Sequence, residues 1–145
     1  MANLQATKIG SGVIQRAMYW FNTSVGDQLY IHMKTNMNKG NYVMATIEAE
    51  GYNYGVAAPV KCAWGFYSPG WGPDTLYSVA LNNIYGGMSA HGVYLSSDGY
   101  IVIRAYAGWN YYNGFILNAF SPSPIGAYDL GITAANQNNN SGNYY

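Results

Sequence analysis

The sequence predicts an all-β fold, a β-sandwich of jelly-roll type with about eight or nine strands and little or no helix. Apolar and polar residues alternate with a period of two through most of the chain. Glycine and proline recur often enough to interrupt helical windows before they reach a stable length. The 145 residues suffice for one domain with its own core, which we place at residues 1–135, followed by a polar tail at residues 136–145.

The first strand candidates lie between residues 28 and 66. In "QLYIHMKT", leucine, isoleucine and methionine share one face, and tyrosine, histidine and lysine share the other. "YVMATIEAE" and "PVKCAWGF" alternate in the same way. The residues expected to point inward from these three segments are Leu29, Ile31, Met33, Val43, Ala45, Ile47, Ala49, Val60, Cys62, Trp64 and Phe66.

The clearest hairpin signal lies at residues 93–106. Two alternating runs flank Ser97-Asp98-Gly99, and an Asp-Gly pair supplies the positive φ that tight hairpin turns need. "TLYSVAL", "GFILNAF" and "LGITA" are further strand candidates. If the chain has a helical turn at all, residues 74–85 are the one segment compatible with it.

The charge content narrows the possible partners. Only 8% of residues are charged, against about 25% in an ordinary soluble domain, and six basic residues balance six acidic ones. We therefore expect no nucleic-acid partner, because such binding depends on a basic surface. We expect no membrane insertion either, since no window holds the apolar run that a membrane-spanning helix needs. Tyrosine, with 16 copies, replaces the missing charge and suits interfaces and sugar-facing surfaces.

Cysteine usage and the N-terminal sequence indicate where the chain is made. With Cys62 as its single cysteine, the chain forms no internal disulfide and no cysteine-based zinc site. The first twenty residues do not have the pattern of a secretory signal peptide. A surface rich in Tyr, Asn and Gly is nevertheless typical of proteins that work outside cells. A virion protein, made in a host cytoplasm and exposed on the particle, satisfies both observations.

Residues suited to catalysis are sparse. Glu48 and Glu50 point the same way from one strand, whereas glycoside hydrolysis needs carboxylates opposed across a cleft. His32 and His91 lack a third metal ligand at a workable spacing, and we expect each to make an ordinary hydrogen bond. We predict no enzyme activity, no cofactor and no metal site. A carbohydrate-active enzyme remains the alternative from another class.

Aromatic residues concentrate in "GYNYG", "WGFYSPGWGP" and "GWNYYNG". The first and third follow similar strands, "YVMATIEAE" and "YIVIRAY". The similarity is either a chance match in a chain rich in Tyr, Gly and Asn, or the mark of two equivalent strand–loop units on two sheets, in which case both loops emerge at one rim of the sandwich. Trp and Tyr rings there would stack on a sugar while Asn side chains bond its hydroxyls. The predicted ligand-binding residues are Tyr52, Asn53, Tyr54, Trp109, Asn110 and Tyr111. The alternative is that these rings are buried along the axis of a homotrimer.

Four segments, "QLYIHMKTNM", "MATIEAEGYNYG", "AHGVYLSSDGYIVIRAY" and "NGFILNAF", resemble the small β-rich domains of structural and tail-fibre proteins of tailed bacteriophages, especially those that infect marine cyanobacteria. The resemblance covers well over half of the chain and carries no catalytic signature. It implies a trimeric domain on the exterior of the virion that contacts the host or decorates another virion part.

The expected function is therefore that of a non-enzymatic bacteriophage surface protein. We expect a tail-fibre tip or knob that engages a host-surface glycan through its aromatic loops. The alternative is a capsid decoration protein with a structural role, which is favoured if the chain has no fibre or anchoring segment ahead of the domain. The expected partners are further copies of the chain, as a trimer, other virion proteins and the host glycan. A cellular lectin is a further possibility.

Overall fold

The structure is a computed structural model that describes residues 6–9, 12–21, 30–41, 43–69, 76–108, 112–121, 132–138 and 143–145. In these residues it contains ten β-strands, two short 3₁₀ turns and no α-helix. The strands are β1 (Ala6–Ile9), β2 (Gly12–Phe21), β3 (Tyr30–Asn38), β4 (Met44–Asn53), β5 (Ala58–Tyr67), β6 (Tyr77–Tyr85), β7 (Ser89–Leu95), β8 (Tyr100–Tyr106), β9 (Gly114–Ser121) and β10 (Ile132–Asn138). The 3₁₀ turns span Lys39–Asn41 and Tyr54–Val56.

The strands form two antiparallel sheets. One has six strands in the order β1-β2-β9-β4-β5-β6, and the other has four in the order β10-β3-β8-β7. The all-β sandwich predicted from the sequence is confirmed. The jelly-roll connectivity is not, because β4, β5 and β6 follow one another as hydrogen-bonded neighbours in one sheet. Strands that are close in sequence here remain close in space, as in a meander.

The core lies between the two sheets and contains residues of both. The inward faces predicted for β4 and β5 are confirmed, since the residues predicted to point inward from them are at most 3% exposed. The side chains that fill the centre from these two strands are Ala45, Ile47, Ala49, Val60, Cys62, Trp64 and Phe66. Trp64 also joins the sheets, because its indole N–H donates to the carbonyl oxygen of Arg104 on β8 at 2.9 Å.

The β7–β8 hairpin is confirmed, with Leu95 paired to Ile101 on either side of the turn. Gly99 has a φ of 83° and, of the Asp-Gly pair, it alone lies in the positive-φ region. Its N–H donates to the Ser96 carbonyl oxygen at 2.9 Å. Asp98 accepts a hydrogen bond from the Ser96 hydroxyl and another from the Lys34 ammonium, each 2.5 Å long. The turn thus ties the hairpin to β3.

Two parts of the chain differ from the sequence prediction. Residues 77–85 form the strand β6, so the strand candidate "TLYSVAL" is confirmed and the helical turn considered for residues 74–85 does not form at residues 77–85, because pairing with β5 overrides the weak local preference. The last strand, β10, continues to Asn138, three residues into the segment assigned to the polar tail. Its pairing with β3 continues as far as Asn138 opposite Tyr30, which keeps these polar residues in the sheet.

The C-terminal residues 143–145 lie against the outer face of the four-stranded sheet. The Tyr144 N–H donates to the Tyr94 hydroxyl at 3.1 Å. The rings of Tyr144 and His32 lie 5.8 Å apart. His32 and Val102, which alternation places on this outer face, are both completely buried. The outward side of β3 and β8 is therefore not a solvated surface along its whole length.

Candidate functional site

The two aromatic segments identified in the sequence leave the six-stranded sheet side by side. Tyr52 at the end of β4 pairs with Gly114 at the start of β9, and Gly51 pairs with Phe115. The backbones approach so closely that a Cβ added to Gly51 would lie 1.9 Å from the Gly114 carbonyl oxygen. Only glycine permits this contact, which brings the described residues of the two loops to one end of the sandwich.

Two buried asparagines hold these loops in place. The Asn53 side chain accepts a hydrogen bond from the Gly55 N–H at 2.9 Å and donates to the Gly86 carbonyl oxygen at 3.1 Å. The Asn113 side chain accepts from the Tyr54 N–H at 3.2 Å and donates to the Ala107 carbonyl oxygen at 3.0 Å. Together they connect three loops through internal hydrogen bonds. Such bonds fix the backbone from which the exposed side chains project.

The exposed side chains at this end are mostly aromatic. Tyr52, Tyr54 and Tyr112 are 48%, 52% and 49% exposed, and Val56 is 54% exposed. The Tyr54 and Tyr112 rings meet edge to face, with centroids 5.7 Å apart and planes at 83°. We call Tyr52, Tyr54, Val56 and Tyr112 the aromatic rim. Half-exposed rings on a hydrogen-bonded frame form a surface that a flat apolar ligand face can contact.

The residues predicted for the site do not all play the expected part. Tyr52 and Tyr54 are exposed, as a ligand platform requires. Asn53 is only 2% exposed, and its amide makes internal hydrogen bonds, so the structure shows it supporting the loop and not facing a ligand. The remaining three predicted residues, Trp109, Asn110 and Tyr111, lie outside the described residues.

Sequence reasoning missed Tyr112 and Asn113. Both belong to "GWNYYNG", the segment already singled out. Nothing in the sequence, however, indicates that the Tyr112 ring is exposed and the Asn113 amide is buried. Tyr112 adopts a φ of 57°, an uncommon value for a residue other than glycine. The strain fits a side chain held outward at a loop end.

A second aromatic cluster lies on the outer face of the four-stranded sheet. Tyr30 on β3 contacts the rings of His91 and Tyr106 at centroid distances of 5.0 and 5.2 Å. The Arg104 guanidinium lies 5.8 Å from the Tyr30 ring centre. Burial lowers the pKa of His91 below its usual value, and the positive charge of Arg104 lowers it further. His91 is therefore mostly neutral at pH 7.

His32 lies beside this cluster, and its Nδ1 is 2.9 Å from the Tyr94 hydroxyl. The hydrogen bond expected for it from the sequence is present. The sequence signal for the whole face was the alternation of Tyr, His, Lys and Arg along β3 and β8, which we interpreted only as the side opposite to the core.

The two glutamates considered as catalytic candidates share one cation. The Lys61 ammonium on β5 lies 2.6 Å from a carboxylate oxygen of Glu50 and 3.6 Å from one of Glu48. The hydrogen bond to Glu50, followed by the charge of Glu48, raises the pKa of Lys61 above its usual value. Both carboxylates project from one strand beside one ammonium, which is the arrangement of an exposed ion-pair network.

An open groove crosses the outer face of the six-stranded sheet. It contains two adjoining cavities of about 380 and 310 Å³, within the range of small-ligand sites. Phe120, 43% exposed, and Thr46 line both cavities. Glu48 and Asn118 line the smaller cavity, and Met44 and Tyr67 line the larger one.

Among the residues whose placement is given, His, Cys, Asp and Glu form no group of three that could hold a metal ion. The same part of the chain has no helix with the length and hydropathy needed to cross a membrane. Cys62 is buried, and the loss of solvent raises the pKa of its thiol to about 12, which keeps it protonated and unreactive at neutral pH.

Comparisons with protein-family models, with curated proteins and with solved structures find no match to this chain. The geometry of its surface is therefore the basis for a functional proposal.

Proposed function

We propose that the protein is a non-enzymatic binding module on the exterior of a bacteriophage particle, such as a tail-fibre tip, and that its aromatic rim engages a host-surface glycan. The observation that carries the glycan proposal is the rim itself. Three tyrosines, each about half exposed, project from the end of β4 and from the two adjoining loops that buried Asn53 and Asn113 hold together. The assignment to a phage particle rests on the resemblance described above.

The chemistry of the rim suits a neutral sugar. The described rim residues carry apolar ring faces and phenolic hydroxyls but no charge, so they can stack on the C–H face of a pyranose and bond its hydroxyls. The supporting hydrogen bonds reduce the entropy lost on binding, because they hold the described loop residues in place before the ligand arrives.

The arrangement of the carboxylates supports a binding role and not catalysis. Hydrolysis of a glycosidic bond needs one carboxyl group on each side of the bond, about 5–9.5 Å apart. Glu48 and Glu50 lie on the same side of one strand, and both lie beside Lys61. Their arrangement is therefore that of a surface ion-pair network with Lys61.

A second candidate function, capsid decoration or another structural role in the virion, is favoured by one observation. All nine residues of β6 are exposed, including five large apolar or aromatic side chains. Such a strand is suited to burial against another subunit. In either role the expected partners are further copies of the chain, as the trimer that the resemblance implies, and other virion proteins.

Binding to immobilised neutral oligosaccharides and bacterial surface polysaccharides tests the proposal. The double variant Tyr54→Ala/Tyr112→Ala should bind about tenfold more weakly, since each stacking contact is worth roughly 0.5–1.5 kcal/mol. Phe120→Ala is the matched control, because it removes a ring of similar exposure from the sheet face, away from the rim. Unchanged binding by the double variant, or loss only in the control, would contradict a role for the rim.

A further inference from the structure

The hydroxyl of Tyr94 on β7 connects three segments on the outer face of the four-stranded sheet. Its oxygen accepts from the Tyr144 N–H at 3.1 Å and from the Tyr145 N–H at 3.4 Å. The Nδ1 atom of His32 on β3 lies 2.9 Å from the same oxygen. We call residues 143–145 the strap, because this one hydroxyl holds them against β3 and β7.

The hydrogen bonds at this oxygen determine the protonation state of His32. A hydroxyl has one proton to donate and two lone pairs that accept. The two N–H groups of the strap use both lone pairs of the Tyr94 oxygen. The Tyr94 O–H then donates to Nδ1 of His32, which accepts only if the imidazole is neutral and carries its proton on Nε2. The closed strap therefore requires neutral His32.

The surroundings of His32 oppose a positive charge on its ring. The side chain is completely buried, and the Tyr144 ring of the strap lies 5.8 Å from it. Arg104 on β8 is its cross-strand partner, and Lys34 follows two residues later on β3, so both cations share its side of the sheet. A protonated His32 in the closed form would lack water and face two like charges.

The other titratable groups on this face provide little compensation in the described residues. The one carboxylate there is Asp98, and it already binds Lys34. Burial, followed by the charge of Arg104, lowers the pKa of His91 on β7. Burial raises the pKa of Tyr145, which keeps the phenol neutral at pH 7. The strand β10, which pairs with β3, has no titratable side chain. The remaining groups are tyrosines, which are Tyr30, Tyr94, Tyr100, Tyr106 and Tyr144.

We propose that the strap is a pH-dependent cover, which lies over neutral His32 and leaves the outer face of the four-stranded sheet when His32 takes up a proton. Protonation turns Nδ1 from an acceptor into a donor. Three donors would then compete for two lone pairs of the Tyr94 oxygen, and the Tyr94 O–H would lose its acceptor. Opening of the strap removes this conflict and admits water to the charged ring.

Proton linkage gives the direction and size of the effect. In the open form His32 is exposed and titrates near the ordinary histidine value of about 6.5, whereas the closed form takes up a proton less readily. The closed form is therefore most stable above about pH 7. Below about pH 6 the ratio of open to closed strap should rise about tenfold per pH unit, because opening binds one proton. This regulation goes beyond the proposed glycan function and does not depend on it.

NMR of the isotope-labelled chain between about pH 8 and pH 5 tests the cover directly. The amide signals of Tyr144 and Tyr145 should move towards the shifts of a disordered chain as the pH falls. The indole N–H signal of Trp64, which bonds across the core, should stay in place and show that the domain remains folded. Strap signals that do not change while the domain stays folded would overturn the proposal.

The ring nitrogen signals of His32 provide a second readout in the same samples. At neutral pH they should show the proton on Nε2 and none on Nδ1, and they should titrate together with the strap signals. A proton on Nδ1 at neutral pH, or titration of the ring without movement of the strap, would contradict the assigned hydrogen bonds.

Three variants separate His32 from its surroundings. His32→Asn offers the Tyr94 hydroxyl an amide acceptor that does not titrate, so its strap should lose the pH dependence. His91→Asn is the matched control on the same face and should keep it. Tyr94→Phe removes only the shared oxygen, from a partly exposed side chain, and should leave the strap open even at pH 7. A closed strap in Tyr94→Phe, or loss of the pH dependence in His91→Asn alone, would overturn the proposal.

Discussion

The neighbouring strands β5 and β6 show how differently two alternating sequences can be used. They pair in the same sheet, and both carry an apolar residue at every second position along part of their length. The inward residues of β5 are at most 3% exposed, whereas Leu81 on β6 is 43% exposed. In the described residues the four-stranded sheet ends at β7, and Trp64 bonds across to β8, whereas the Leu81 side chain stays 43% exposed. Alternation decides which side chains share a face, and the extent of the opposing sheet decides which are buried.

The largest expected effect follows from this difference. Trp64→Ala should lower the free energy of unfolding by about 3–5 kcal/mol, because it opens a cavity in the core and removes a bond between the sheets. Leu81→Ala, one strand away, should cost about 0.5 kcal/mol or less. Urea unfolding of both variants, at a concentration where they have the same mass in solution, measures the contrast. Similar losses would mean that β6 is covered within the subunit.

Two glycines on paired strands sharpen the comparison on a smaller scale. Gly51→Ala on β4 should destabilise by about 1–3 kcal/mol, because its Cβ would overlap the Gly114 carbonyl oxygen. Gly65→Ala on β5 is the matched control, since its Cβ would meet its nearest neighbour at an ordinary 3.7 Å. We expect that control to retain full stability in thermal melts. Equal melting temperatures of Gly51→Ala and Gly65→Ala would show that β4 and β9 lie farther apart at the rim than in the structure.

The hairpin between β7 and β8 provides a contrast set by local backbone conformation. Gly99→Val should destabilise by about 1–2 kcal/mol, because a β-branched residue is strained at a φ of 83°. Gly99→Asn should keep most of the stability that Gly99→Val loses, since asparagine tolerates this conformation. Denaturant midpoints of Gly99→Val and Gly99→Asn, measured under the same conditions, test this difference in stability. Identical midpoints for the two variants would indicate that the turn had changed conformation.

The smallest effect concerns the charge of Asp98 in the same turn. Hydrogen bonds from Lys34 and then from Ser96 hold its pKa below the usual value. Its stabilising contribution should therefore be present above the unfolded-state pKa of about 3.9 and be lost as the pH falls through the folded-state value. Melting temperatures of the protein and of Asp98→Asn should differ at pH 6 and converge in acid. A difference in melting temperature that does not change with pH would mean that Asp98 stabilises the turn through its side-chain geometry and not through its charge.

Much of the fold, but less of the candidate site, could be predicted from the sequence. The inward faces of β4 and β5 follow from the alternation of apolar and polar residues, and the turn at Gly99 follows from local backbone preference. Both signals can be recognised in the amino-acid sequence. The adjoining of the two aromatic loops was also expected, from the similarity of the strands that precede them. The inward orientation of Asn53 was not, because it depends on the carbonyl of Gly86, 33 residues away.

The sequence by itself determined an antiparallel all-β chain, its core strands and its hairpin, because a period of two and an Asp-Gly turn act over a few neighbouring residues. Only the tertiary structure decided which outward-facing side chains are buried. His32 is buried beside Tyr144, whereas Phe120 on the sheet face and all nine residues of β6 are exposed. These outcomes depend on what lies across from each side chain, and that neighbour comes from a distant part of the chain.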